Sequence, residues 1–356
     1  MDVLEEWMES AKCHPLTLVV FTRQMSVMFC QGVPLLNALE CLAEGDDQKF
    51  SRVVEKLSSL IAQGYTLSKA LSLFPRVFSK VFVVMVRVGE NTGQLHASLE
   101  ALAEWIERDY NWRQKMKSAT TYPVFILVLT LAMTWILFYS VMPGFLSVFT
   151  DMKVELPLIT RLLVWLTEAA QNPGIWIVVL SGAGFLYFTL QEYSKTERGA
   201  VFLYQWLMVV PGLGRLLDSA CTARYACCMS TLIRGGADLI RSLEMAAEAS
   251  QNPLMIADAE KMCDSVSHGE QVSEHMMARP DIYARVLAQM TLAGEESSRT
   301  EAMYGNVADY YSQDVEHLVD SLGAALEPLL LTTVAVIVGF VLVGLFLPLY
   351  GSLAQL

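Results

Sequence analysis

Gly32-Val33-Pro34-Leu35-Leu36-Asn37-Ala38-Leu39-Glu40 returns as Gly236-Ala237-Asp238-Leu239-Ile240-Arg241-Ser242-Leu243-Glu244, 204 positions later in the chain. Each stretch reads as a turn followed by the start of an apolar helix. Further on, Gly64 pairs with Gly269, Gly89-Glu90 with Gly294-Glu295, Pro123 with Pro328 and Pro143 with Pro348, all at a spacing of 205. One inserted residue accounts for the change. A constant spacing over so many Gly, Pro and Glu positions means one unit present twice.

The repeat brackets the apolar part of the chain. Of 356 residues 54% are hydrophobic and 17% charged, where soluble domains carry about a quarter charged. The formal net charge is −12, which makes nucleic acid and anionic headgroups poor partners for the surface as a whole. No charge falls between Lys117 and Asp151, between Glu168 and Glu192, or after Glu327. A helix needs about 20 apolar residues to span a hydrocarbon core. The expected organisation is an N-terminal segment 1–15, a hydrophilic domain 16–120 and a first transmembrane helix 121–143. An outer segment 144–173 and a second span 174–192 follow. A second hydrophilic domain 193–327, a third span 328–350 and a tail 351–356 complete the chain. The middle span returns the chain to its starting side, so the copies share one orientation and the repeat is parallel.

The N-terminus (Asp2, Glu5, Glu6, Glu9) lacks the basic and apolar regions of a signal peptide. Arg108, Arg113, Lys115 and Lys117 precede the first span, and Lys195, Arg198 and Arg215 follow the second. Only Lys153 and Arg161 lie between those spans. The positive-inside rule puts both hydrophilic domains and the N-terminus in the cytoplasm and the C-terminus outside. Cys13, Cys30, Cys41, Cys221, Cys227, Cys228 and Cys263 all fall in those domains, where a reducing compartment keeps thiols free.

Within each copy the period is helical. Phe21, Met25, Met28 and Phe29 share a face; Val53, Leu57, Leu60 and Ile61 make another, which Gly64 ends. Val77 to Val88 reads as a further helix stopping at the turn Gly89-Glu90-Asn91-Thr92-Gly93. Asn91-x-x-Gln94 and Ser298-x-x-Glu301 resemble capping boxes. Pro123 and Pro328 are expected to begin the flanking spans, and Pro143 and Pro348 to end them. Leu158, Leu162, Trp165, Leu166 and Ala169 share one face after Pro157, which predicts an amphipathic helix on the outer interface or against a filament base. With no strand signals, the fold class is all-α: an integral membrane protein of two tandem cytoplasmic helix bundles and three transmembrane helices.

Little in the chain suggests catalysis. GxxxxGK[ST], HExxH and GxSxG patterns are absent, and His14, His96, His268, His275 and His317 form no ligand-spaced pair. Glu90 and Glu295 are the candidate metal ligands. They could hold a cation, dock a partner, or satisfy backbone N–H groups at a helix N-terminus. Glu327 sits at an interface rather than mid-membrane, which argues against a proton relay. Ser181-Gly182-Ala183-Gly184 would allow close helix approach, or is ordinary membrane-helix composition.

In sum these residues are similar to the inner-membrane platform family of type II secretion systems and type IV pilus machines. Phe21-Thr22-Arg23-Gln24-Met25, Gly32-Val33-Pro34-Leu35-Leu36-x-Ala38-Leu39, Gly64-x-x-Leu67-Ser68-x-Ala70-Leu71, Gly89-Glu90-x-x-Gly93-x-Leu95 and Tyr122-Pro123 carry the resemblance in the first copy. Pro143-x-Phe145 and Leu156-Pro157-x-x-Thr160 carry it in the outer segment. Pro211-x-x-Gly214, Gly236, Gly269, Gly294-Glu295, Glu327-Pro328 and Pro348 carry it in the second half. Coverage runs from about residue 16 to the end of the chain. The second copy departs from the pattern: Ala237-Asp238 replaces the x-Pro of the first turn, Ser298 replaces Gly93, and Cys227 stands where Arg23 aligns.

The resemblance implies a non-enzymatic protein without cofactors in the cell inner membrane. It would couple a hexameric cytoplasmic assembly ATPase to extraction of pilin or pseudopilin, beside other inner-membrane assembly proteins, as a homo-oligomer in the lipid bilayer with no direct nucleic-acid contact. Residues 1–120 hold 13 basic and 14 acidic side chains, residues 194–327 hold 10 and 19. That acidic second copy suits basic partner surfaces, or solubility alone. A small transporter or channel subunit is the competing reading.

Overall fold

In the computed structural model, residues 14–45, 47–145, 158–194, 196–210 and 212–353 are described. Most of the acidic N-terminal segment, Pro157, Pro211 and the last three residues lie outside them. The described residues form helices and no strands. The first copy comprises α1 (Pro15–Cys30), α2 (Leu35–Ala43), α3 (Gln48–Ala62), α4 (Leu67–Ser72), α5 (Lys80–Thr92) and α6 (Leu95–Ile136). Between the copies lie α7 (Leu158–Gln171), α8 (Pro173–Ser194) and α9 (Glu197–Val209). The second copy is α10 (Leu213–Arg234), α11 (Leu239–Ser250), α12 (Pro253–Ser267), α13 (Val272–Ala278), α14 (Arg285–Ser297) and α15 (Thr300–Leu353). Helix starts repeat at 204 for α2/α11 and at 205 from α3/α12 onward, so the inserted residue lies between those two helices.

The same turn chemistry recurs with the helices. Gly32, one residue past the C-cap of α1, has φ +76°, and Gly236 has φ +81°. The Gly32 N–H donates to Phe29 O (3.0 Å) and the Val33 N–H to Met28 O (3.0 Å). Gly236 and Ala237 repeat the pair with Ile233 O and Leu232 O (both 2.9 Å). This Schellman closure requires a left-handed residue, which glycine adopts without a Cβ penalty. Gly64 and Gly269 close α3 and α12 the same way. The starts of α2 and α11 differ. Pro34 supplies a fixed φ of −58°, whereas the Asp238 carboxylate accepts the Arg241 N–H (3.4 Å).

Two compact units are present. One joins residues up to Lys115 with Val201–Leu318; the other joins Met116–Ala200 with Val319–Leu356. In the first, one buried apolar cluster draws on both copies of the repeat. Phe21 packs edge-on to Phe50 (centroids 5.1 Å), and Phe78 against Phe82 (4.9 Å). Tyr225 and Tyr283 take the places of Phe21 and Phe78 in the second copy, with Tyr304 beside Tyr225. Ion pairs cross between copies at Lys80–Glu248 (2.7 Å), Arg108–Asp309 (2.5 Å), Arg234–Glu104 (2.7 Å) and Lys115–Glu316. All are exposed, where such pairs contribute about 0–1 kcal/mol each, so the shared apolar core holds the copies together.

Two stretches among the described residues are long and apolar enough to cross a membrane, Val124–Phe145 and the apolar run within Thr300–Gly344. In each, only 6% of the most apolar window is buried. The expected middle span falls on α8, a 22-residue helix whose Ile177, Val178, Phe185 and Tyr187 are exposed. In the second unit α7 packs on α15. The Thr160 hydroxyl donates to Gly344 O (2.9 Å), and a Cβ on Gly344 would lie 2.1 Å from Leu163 Cδ1. The apolar face expected on α7 turns outward, with Leu158 81% and Trp165 61% exposed, while the neighbouring face of Thr160, Leu163 and Thr167 is buried.

The structure corrects four readings of the sequence. Pro123 and Pro328 do not begin helices and Pro348 does not end one: α6 starts at Leu95 and runs through Pro123, and α15 starts at Thr300 and runs through Pro328 and Pro348 to Leu353. Both flanks are already helical, so each proline removes only one backbone hydrogen bond and a rod continues. The fifth helix begins at Lys80, with Ser79 as its cap, rather than at Val77. Gly89-Glu90 and Gly294-Glu295 lie inside the last turns of α5 and α14; the chain reverses at Gly93 (φ +69°) and Ser298 (φ +54°). Ser298 is therefore the left-handed C-cap of α14 rather than the start of a capping box, and Asn91 is within α5.

Candidate functional site

Gly89-Glu90 and Gly294-Glu295 each sit where three helices meet. Glu90 projects from the end of α5 to the N-terminus of α4. Its Oε1 accepts the Leu67 N–H (2.6 Å) and its Oε2 the Ser68 N–H (3.1 Å). Thr66 Oγ1 accepts the next donor, the Lys69 N–H (3.3 Å). The first three N–H groups of α4, which a helix cannot satisfy itself, are thereby all paired. In the second copy Glu295 Oε1 accepts the Val272 N–H (2.9 Å) and Oε2 the Ser273 N–H (3.3 Å). Each carboxylate also faces the positive end of a helix dipole.

The preceding glycine serves the opposite side of the same turn. A Cβ on Gly89 would lie 2.9 Å from Leu95 Cα and 2.8 Å from Ser98 Oγ; one on Gly294 would lie 2.9 Å from Thr300 Cα. Gly89 thus lets the first turn of α6 rest on α5, and Gly294 does the same for α15 on α14. The φ of these residues is helical; what they supply is space. Each Gly-Glu pair clamps a short helix, the end of the next helix, and the base of the long rod into one body.

Among the described residues no group of three or more His, Cys, Asp or Glu side chains is placed to hold a metal. Both oxygens of Glu90 and of Glu295 are engaged by backbone donors instead. Arg23 is exposed on α1 with no ion pair among the described residues, while its counterpart Cys227 is buried. Pro143 is half-buried just past a π-helical turn, Leu137–Val141. The side chains of Pro123, Glu327 and Pro348 lie outside the described residues.

The buried thiols of α10 are poor nucleophiles. Burial pushes Cys221 and Cys227 up to about 11 and Cys228 well above the ordinary range, so all three stay protonated at neutral pH. A cleft of about 700 Å3 beside α11 and α12 is lined by Lys80, Glu244, Glu248, Glu260, Cys263 and Asp264. The Cys263 thiol there is also raised by burial.

One site in the second copy was not foreseen. Asp258, 2% exposed, accepts from His275 Nε2 (2.9 Å), Arg279 Nη1 and the Tyr283 hydroxyl (3.2 Å). Burial, reinforced by the Asp258 carboxylate, drives the Tyr283 phenol well above its ordinary range. The positions matching these four in the first copy are Val53, Ala70, Phe74 and Phe78, all buried. Aligning the two copies and asking where an apolar residue becomes ionisable would have revealed the cluster.

The model of the family described as type II secretion system (T2SS), protein F, matches residues 21–143 and 225–348. These are two matches at the spacing of the internal repeat, so the family's unit is the six-helix series that occurs twice here. The type IV pilus assembly protein PilC of Pseudomonas aeruginosa is 30% identical over 341 residues, covering 95% of this chain and 90% of its own. The PilC of Thermus thermophilus is 30% identical over 342 residues, with 95% and 83% covered. The type II secretion system protein F of Xanthomonas campestris pv. campestris is 30% identical over 340 residues, with 94% and 82% covered. With the family's unit present twice and relatives matched along nearly their whole length, the chain belongs to the type II secretion system protein F family.

Proposed function

We propose that this chain is the membrane platform of a type IV pilus or type II secretion machine, a non-enzymatic part that passes motion from a cytoplasmic assembly ATPase to pilin or pseudopilin. The observation that carries the reading is the near full-length match to proteins named for pilus assembly and for secretion. The topology is that of three spans, α8 being the middle one. It holds both copies and the N-terminus in the cytoplasm and the C-terminus outside, and the molecule works in the inner membrane as a homo-oligomer.

The Gly-Glu clamps suit this task. A force on α3, α4 or α5 is not absorbed in a loose turn, because Glu90 ties α4 to α5 and Gly89 seats α6 on α5. The long helix α6 continues without a break into the candidate span Val124–Phe145. Glu295, Gly294 and α15 repeat the linkage in the second copy. The acidic second copy supplies a surface for basic partners.

An in-frame deletion in the native host tests the proposal, scored for surface filaments by electron microscopy and for exoproteins in the medium. Lost filaments with normal secretion assign the pilus role, and lost exoproteins with intact filaments assign the secretion role. Survival of both, with no second copy of the gene present, overturns the platform reading.

A further inference from the structure

Helix α9 carries an apolar face turned to the outside. Phe202, Trp206 and Val209 recur at i, i+4 and i+7, with 49%, 65% and 78% exposure. On the other side Tyr204 is 7% exposed and anchors the helix to the fold. No charged residue occurs between Arg198 and Arg215. A helix facing water shows polar residues on its outer side, and this one has Gln205 alone among its last nine residues. A contiguous exposed apolar stripe of this kind marks contact with something other than water.

The chain itself indicates what covers it. Helix α9 starts at Glu197, immediately after α8 ends at Ser194. The turn between them is tight: the Thr196 N–H donates to Tyr193 O (3.1 Å), and a Cβ on Gly199 would lie 1.9 Å from that carbonyl. A span that ends in the headgroup region and turns at once delivers the next helix to the same depth. Tryptophan is itself a residue of the headgroup boundary, with an apolar ring and one N–H donor.

We propose that the Phe202–Trp206–Val209 face of α9 lies in the headgroup–acyl boundary of the bilayer, making α9 an interfacial helix that fixes the start of the second copy at the membrane surface. This rests on α8 being a span. It differs from the outward face of α7, which belongs to the segment on the opposite side of the middle span.

The test uses the full chain reconstituted in phosphatidylcholine–phosphatidylglycerol vesicles, and in the same vesicles with dibrominated acyl chains. Subtracting the emission of a Trp206→Phe variant isolates Trp206 among the seven tryptophans. The expected difference spectrum is blue-shifted, at least halved by bromine, and insensitive to iodide added outside. Quenching by iodide with no effect of bromine overturns the proposal, as the face is then in water. A blue shift that neither quencher alters also overturns it, since the face is then covered by protein, a second copy of this chain included. Trp135, within Val124–Phe145, is the reference through Trp135→Phe. Bromine quenching of Trp135 but not Trp206 removes this inference and leaves the membrane reading standing. Loss of quenching at both removes the membrane reading as well.

Discussion

Replacing Glu90 by Ala isolates what the clamp contributes. The variant strips two N–H groups, Leu67 and Ser68, of their acceptor on a half-buried helix of six residues. A buried donor left unpaired costs about 1–3 kcal/mol, and an anion at a helix N-terminus contributes about 0.3–1 kcal/mol. Water reaches a half-buried site and recovers part of that, so the expected loss is about 2–3 kcal/mol. For a folded unit of 150–250 residues each kcal/mol moves the midpoint by about 2–4 °C, giving a fall of about 4–12 °C. The assay is thermal unfolding of the full chain in detergent, followed by tryptophan emission. Glu90→Gln, which keeps one carbonyl acceptor, should fall between. Glu55→Ala removes an exposed carboxylate from α3 with no partner among the described residues and should stay within about 0.5 kcal/mol. If Glu90→Ala unfolds at the temperature of Glu55→Ala, the carboxylate does not hold α4 and the clamp argument fails.

Gly89→Leu should impair filament assembly or secretion more than Lys56→Ala, scored by electron microscopy and exoprotein levels; equal effects remove the special role of this turn. Asp258→Ala should destabilise by about 3–5 kcal/mol in the same thermal assay, because Arg279 and His275 lose their buried partner. The fourfold change Asp258→Val, His275→Ala, Arg279→Phe and Tyr283→Phe, which installs the first copy's residues, should recover most of that loss. Burial raises the Asp218 carboxyl, so its charge opposes folding above the carboxylate range and costs nothing below it, where the group is protonated folded and unfolded. Asp218→Asn should then stabilise at pH 7 and lose that advantage as the pH falls through 4. Cys30 and Cys41 should alkylate in the native protein, and Cys221, Cys227 and Cys228 only on unfolding, as read by peptide mass spectrometry.

Helix ends were legible where backbone chemistry is local. Gly32 and Gly64 each follow an apolar helical stripe and precede a new one, and a left-handed closure needs little beyond those neighbours. Gly89 was misread because a sequence does not distinguish a glycine needed for φ from one needed for space. The crowding atoms, Leu95 Cα and Ser98 Oγ, are on the next helix. Pro123 was misread for a related reason. Proline is favoured at helix starts, yet nothing before it stops the helix begun at Leu95, and the rod absorbs one missing bond. Glu90 was found by its repetition, but its partners lie 22 and 23 residues upstream, beyond any local pattern. The Asp258 cluster escapes a local reading for the same reason, since only the fold brings 258 against 275, 279 and 283; its sequence signal is the change from apolar to ionisable residues between the two copies.

The apolar cluster shared by the two copies has a consequence for synthesis. Residues up to Lys115 leave the ribosome well before their core partners in Val201–Leu318 exist. Translation proceeds at about 5–20 residues per second, so the second half of that core arrives about 10–40 s later. In that interval the nascent first copy holds unfinished apolar surface while the intervening helices are being made. On the three-span topology proposed above, maturation of this protein is gated by the insertion machinery: a delay in threading residues 116–200 leaves a half-built core exposed to aggregation and proteolysis.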